Sequence, residues 1–241
     1  MKHRVLPEIL AFSTGRPINK LSDDLWIQAS PQSFFGLQLG TRMTVVRLQD
    51  GGLLLHSPIP LAADLKAEVD AIGPVRHIVA PSQGHHLYVG EWKSAYPNAL
   101  LHAATGLAKR RKDLAIDHEL MGEAHADWRN DLETTFLDGA MLNETVFLHR
   151  PSRSLIVADA VENFDTSSHW PTRTYLKLAD IHGKPGVSRS LRPFFRDRKR
   201  ARRSIDEILT WDFGRIILSH GDIIDSDAND ALREAYYWLK G

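Results

Sequence analysis

Short apolar runs separated by turn residues dominate the chain from Leu25 onward. LWIQAS (25–30), MTVVRL (43–48) and GLLLHS (52–57) read as strands, and Gln49-Asp50-Gly51-Gly52 between the last two favours a tight hairpin turn. An antiparallel meander is therefore expected. Leu61, Leu65, Val69 and Ile72 then recur at helical spacing, and Gly73-Pro74 predicts the stop, with Gly73 as a left-handed cap. RHIVAPSQGHH follows as an apolar strand running into a loop with two adjacent histidines. After it come a short helix at 91–96, a strand at ALLHA (99–103) and a basic helix ending in Lys109-Arg110-Arg111-Lys112.

Residues 113–130 are polar and show no period. A second β region follows with ETTFL, ETVFLHR and SLIVADA, the last two turned by Pro151-Ser152-Arg153; His149 is expected at the surface or a sheet edge. Ser204 and Glu207 have the spacing of a capping box, which predicts a helix starting there, with Ile205, Ile208 and Leu209 on one face before the buried strand RIILSH. Leu232, Ala235, Tyr236 and Leu239 form one stripe of a final helix. Two β-rich halves, each closed by helices and joined without a linker, predict an α+β fold: two sheets packed together, helices outside, in one domain. Residues 1–20 read as an N-terminal extension and 21–241 as that domain.

Composition narrows the function. With 30 Lys+Arg against 30 Asp+Glu, the 241-residue chain is not a globally basic nucleic-acid binder. At 43% hydrophobic residues it can bury a sizeable core. The absence of cysteine removes disulfides, thiolate zinc sites, iron–sulfur clusters and a cysteine nucleophile, so any metal must be held by His, Asp or Glu. No run reaches the ~18 apolar residues of a membrane helix, and the first residues lack a secretory signal's apolar core, which predicts a soluble cytoplasmic protein.

Three loops that follow predicted strands carry metal-compatible side chains: His85-His86, Asp159, and His220 in His220-Gly221-Asp222. Loops at strand ends are where such folds gather functional groups. Imidazole and carboxylate suit Zn, Fe or Mn. The order of these motifs resembles the metallo-β-lactamase superfamily, and VVRLQDGGLLLHSPIPL, VAPSQGHHLYVGEW, ETVFLHRPSRSLIVADA and ILSHGD are similar to an uncharacterised, domain-of-unknown-function branch of it. The resemblance implies a four-layer αββα sandwich with metals along one edge. It also exposes a departure. The superfamily's His-x-His-x-Asp-His loop, aligned on His86, places Pro81 and Gln83 at its first two histidines and His85 at its Asp, while Met141 stands where the first site's third histidine belongs. One metal site is thus lost, and the other is expected at His85, His86, Asp159 and His220.

The alternatives are plain. His85 and His86 can cap the following helix or face solvent, Asp159 can satisfy its own loop, and His56 can be a core residue or orient the histidine loop. The remaining histidines, including His77, His102, His118 and His125, are read as ordinary structural residues. The Arg-rich segment 189–203 is a solvated approach to a helix, a lid, or an anion site in which Arg196, Arg198 and Arg200 bind substrate. The resulting expectation is a single-metal hydrolase of an ester, thioester, amide or phosphodiester of a small anionic substrate. Its rival is a non-catalytic binding protein that kept the fold and lost the metal chemistry.

Overall fold

The computed structural model describes residues 17–239, so most of the N-terminal extension, with His3, lies outside the described residues. The first half runs β1 (Asn19–Ser22), β2 (Leu25–Ser30), β3 (Ser33–Phe34), β4 (Leu37–Gln38), β5 (Thr41–Arg47), β6 (Leu53–His56), α1 (Ala63–Ile72), β7 (Val75–Ala80), α2 (Val89–Ala95), β8 (Leu100–Ala104), α3 (Leu107–Arg110) and β9 (His118–Leu120). The second runs β10 (Leu132–Phe136), β11 (Thr145–His149), β12 (Ser154–Ile156), β13 (Glu162–Asn163), α4 (Trp170–Leu178), β14 (Pro185–Gly186), α5 (Arg198–Ile208), β15 (Arg215–Ile217) and α6 (Ala228–Ala235). A seven-stranded sheet has the order β1-β2-β5-β6-β7-β8-β9 and a four-stranded sheet the order β10-β11-β12-β15. Two short ribbons, β3–β4 and β13–β14, lie apart from them.

The layering follows from the two-residue period of the strands. In β6 and β7 the side chains of Leu53, Leu55, Ile78 and Ala80 face α1 and α2, where Leu65, Val69, Val89 and Trp92 cover them. Leu54 and Val79 point the other way and meet Trp128, Phe147, Ile156 and Ile217 between the sheets. On the far side Val146, Leu148, Leu155 and Ile216 are covered by Ala201, Ile205 and Ile208 of α5 and by Ala228, Leu232 and Ala235 of α6. Each fully buried Leu, Ile or Val contributes about 1.5–3 kcal/mol, so both faces of both sheets are stabilised. The result is the αββα sandwich, with helices outside and sheets within.

Helical crossovers make β6, β7 and β8 parallel, so their carboxyl ends share one edge of the sheet. β12 and β15 are parallel in the other sheet. The loops leaving β7, β12 and β15 carry His85, Asp159 and His220 respectively.

Three local expectations change. Gly73 ends α1 in extended backbone (φ 167°) rather than as a left-handed cap. Glycine fits there because a Cβ would lie 2.9 Å from the Gly51 carbonyl oxygen. α5 begins six residues before Ser204, capped by Asp197, whose carboxylate accepts the Arg200 N–H at 3.0 Å. Ser204 lies inside that helix, and its hydroxyl accepts the Asp138 N–H at 3.1 Å. His149 is buried, because β11 is flanked by β10 and β12, and its Nδ1 is bonded to the Ser152 hydroxyl at 2.7 Å. The unpatterned region 113–130 supplies edge strand β9 and Trp128, which closes the core between the sheets.

Candidate metal centre

Three of the side chains singled out in the sequence converge. His85 Nε2 lies 3.2 Å from Asp159 Oδ1 and 3.2 Å from His220 Nε2, and His220 Nε2 lies 3.6 Å from the same Asp159 oxygen. Four-coordinate zinc with bonds of about 2.0–2.2 Å requires ligand atoms roughly 3.3–3.6 Å apart, so the triangle has the dimensions of one face of such a coordination sphere. The donor set of two imidazoles and a carboxylate also matches catalytic zinc sites that keep a fourth position open.

Proton positions support the same fit. His220 Nδ1 is 2.7 Å from the Gly40 carbonyl oxygen, which can only accept, so the proton sits on Nδ1 and the Nε2 lone pair faces the triangle. On the other ring, His85 Nδ1 is 2.7 Å from the Ser57 hydroxyl, itself bonded by Ser219 at 3.3 Å. Both histidines are therefore oriented through their second nitrogen, and for His220 the carbonyl partner also fixes the tautomer. Three electron-rich atoms meeting at one point repel unless a cation lies among them. A proton on His85 Nε2 serves this purpose for a single pair of atoms, whereas a metal ion serves all three.

The electrostatics centre on the largely buried Asp159, paired with His85. Burial would raise the Asp159 carboxyl, but the charge and hydrogen bond of His85, with His220 and the Ser82 hydroxyl at 3.2 Å, hold it below the usual carboxylate range. Burial likewise opposes charge on His85, yet Asp159 outweighs it and raises that imidazole. His220 is pushed down to about 4 by burial and by neighbouring His85. Two further buried carboxyls lie within electrostatic reach of Asp159. Glu144 is raised by burial and by Asp159, and Glu162 is pushed up to about 7, chiefly by burial.

His86, expected beside these three, stands apart. Its Nδ1 accepts an N–H from Arg111 Nη1 at 2.8 Å, and the same nitrogen donates to the His86 carbonyl at 3.1 Å, so the ring is turned toward α3. Among the described residues, the group with ligand atoms close enough to share an ion is His85, Asp159 and His220. Of the arginines, Arg198 lies over the Trp238 ring at 5.7 Å, and Arg200 pairs with Asp138 and Asp197. Arg196 reaches the Met141 sulfur at 3.3 Å, and Met141 neighbours Leu142, whose carbonyl accepts the Gln83 N–H of the histidine loop. His56 is buried edge-on against Phe147 with Nε2 unpartnered; its neighbour Ser57 is the residue that orients His85. Ser57, Gly40 and Glu144 are parts of the centre that the sequence reading did not identify, because hydrogen bonds to main chain and hydroxyls leave no spacing signature.

Comparison with known proteins gives the family and the fold. Residues 22–177 match the model of the domain of unknown function DUF4336; this span includes His85 and Asp159 and stops short of His220. The chain has no sequence match among curated proteins. Among solved structures it is similar to a metallo-β-lactamase from Pontibacter korlensis (14% identity, 93% of this chain and 98% of that one, TM-score 0.65). The DIM-1 metallo-β-lactamase is similar to the same degree (15% identity, 92% and 97%, TM-score 0.65). So is a metallo-β-lactamase from Hirschia baltica (12% identity, 93% and 98%, TM-score 0.61). At these identities the likeness shows a shared fold, the metallo-β-lactamase αββα sandwich.

Proposed function

Since the chain belongs to the DUF4336 family and has the metallo-β-lactamase fold, we propose that it is a single-metal hydrolase whose ion is held by His85, Asp159 and His220. The observation that carries this reading is the triangle of His85 Nε2, Asp159 Oδ1 and His220 Nε2, with edges of 3.2, 3.2 and 3.6 Å. When bound, a Zn, Fe or Mn ion would polarise an ester, thioester, amide or phosphodiester and acidify a water in its open position. The chain's own residues do the rest. Gly40 keeps His220 in the tautomer that presents Nε2, Ser57 holds the His85 ring through Nδ1 so that Nε2 faces the triangle, and Ser82 holds the second Asp159 oxygen so that Oδ1 faces the histidines. In this reading Arg196, exposed and bonded to the Met141 sulfur, serves as the cation that meets an anionic substrate group.

The test is elemental mass spectrometry on untagged protein beside a His85→Ala, His220→Ala double variant. The expected result is close to one equivalent of metal, lost in the variant, together with metal-dependent hydrolysis in a screen of ester and phosphodiester substrates. Protein that stays metal-free after reconstitution at neutral pH would overturn the proposal and leave the non-catalytic binding protein in its place.

A further inference from the structure

Glu144 is fully buried, and it spends both carboxylate oxygens on main chain. Oε1 accepts the Ala158 N–H at 2.6 Å and Oε2 accepts the Asp159 N–H at 2.9 Å. These consecutive amides lie where β12 has ended and the chain turns to present Asp159. A neutral acceptor could satisfy either amide without setting a second buried carboxyl near Asp159, an arrangement opposed by desolvation and like-charge repulsion. What the carboxyl adds is geometric: two bonds accepted by one rigid planar group fix the orientation of the peptide between Ala158 and Asp159. The direction of the Asp159 side chain follows from that peptide.

The segment around Glu144 also grips the histidine loop. The Thr145 N–H donates to the Pro81 carbonyl at 2.9 Å, and the Gln83 N–H donates to the Leu142 carbonyl at 3.0 Å. Asn143 Nδ2 and Gln83 Nε2 both donate to the Thr105 carbonyl at 3.0 Å. Residues 142–145 therefore form a strap bonded on one side to the loop of His85 and on the other to the turn of Asp159. We infer that Glu144 is a positioning residue, which sets the affinity of the metal centre by locking the Asp159 main chain against the histidine loop. This inference rests on the proposed metal reading, and its chemistry is that of a support beneath a ligand.

Cobalt(II) is the probe, because its visible absorption reports coordination geometry as well as binding. Glu144→Gln keeps the size of the side chain but sets an amide N–H against a backbone N–H. The expected result is about 10–100-fold weaker cobalt(II) binding, a shifted visible spectrum, and faster hydrogen exchange at the Ala158 and Asp159 amides. Glu162→Gln is the control: Glu162 is buried and within electrostatic reach of Asp159, but it bonds the Ser188 N–H at 2.9 Å. It should bind cobalt(II) with wild-type spectrum and affinity. Equal losses in the two variants, or none in Glu144→Gln, would overturn the inference. If Glu144→Gln does not fold, Asn143→Ala loosens the same strap at a half-buried position and should weaken cobalt(II) severalfold; unchanged affinity there overturns the inference equally. If the wild-type protein takes up no cobalt(II), the hydrolase reading fails on its own, and amide exchange in metal-free protein still decides the clamp. Unprotected Ala158 and Asp159 amides in wild type would then refute it.

Discussion

Gly221 has φ +90°, and a Cβ added there would collide with the Asn163 carbonyl, which accepts the Asp222 N–H at 2.6 Å. The buried Arg42 guanidinium donates to the Leu218 and Gly221 carbonyls, fixing the same turn from the opposite side. Gly221→Ala combines backbone strain with a main-chain clash and is expected to cost about 3 kcal/mol or more, read as a lowered urea midpoint, with metal uptake lost in parallel. A wild-type midpoint would mean that the turn relaxes. The His-Gly pair after a buried strand was legible in the sequence, and so were His85 and Asp159, because each follows an apolar run. Their supports were not. Ser57 adjoins the more conspicuous His56, and Glu144 acts through main-chain amides that any residue possesses.

The parallel register of β7, β8 and β9 builds a second histidine group from residues that individually looked ordinary. His102 pairs with His118 across β8 and β9, and His77 of β7 approaches His102 with ring nitrogens 3.1 Å apart. His125 and Trp128 pack against them, with ring centroids 4.5–6.0 Å from His77 and His102. Burial pushes His77 down to about 4, with Asp127 opposing and His125 assisting; burial and the neighbouring imidazoles push His102 down to about 2. An unfolded imidazole titrates near 6.5. Below that pH the unfolded chain therefore takes up protons that the native cluster refuses, and stability falls as pH drops from about 6.5 toward 4 and below. The raised carboxyls of Glu144 and Glu162 act in the opposite direction, so the cluster's share is read by comparison: between pH 7.5 and pH 5 the urea midpoint of metal-free wild type should shift further downward than that of His102→Leu. The same pH dependence in wild type and His102→Leu would show that burial does not keep the His102 imidazole from protonating. Periodicity revealed most strands of the two large sheets, with matching bounds at 25–30, but not β1 or the His118-bearing β9. It could not reveal which strands lie side by side, so this cluster was invisible from sequence. The start of α5 was misread for a related reason: the Arg-rich first turns have no apolar stripe, and Ser204-Glu207 imitates a cap in the middle of the helix.

At the scale of the whole molecule, the three candidate ligands do not belong to one layer. His85 leaves the seven-stranded sheet, while Asp159 and His220 leave the four-stranded sheet. The sheets also meet through the apolar interface built around Trp128 and Phe147, but that contact is non-directional and does not fix how their edges align. A metal ion at the triangle would tie the two edges together, and because the complete ligand set exists only when both sheets are docked, its binding free energy adds to folding stability. Free metal at a hundred times its dissociation constant should add about 2.7 kcal/mol. For a domain of this size that is a rise of roughly 5–11 °C in melting temperature. Thermal melts of reconstituted and chelator-treated protein measure the rise directly. His85→Ala removes the sole ligand from the first sheet, so the variant should melt at the same temperature with and without metal, although Asp159 and His220 remain. A melting temperature that still climbs with metal in His85→Ala would place the ion within the second sheet alone and separate metal binding from the docking of the two halves.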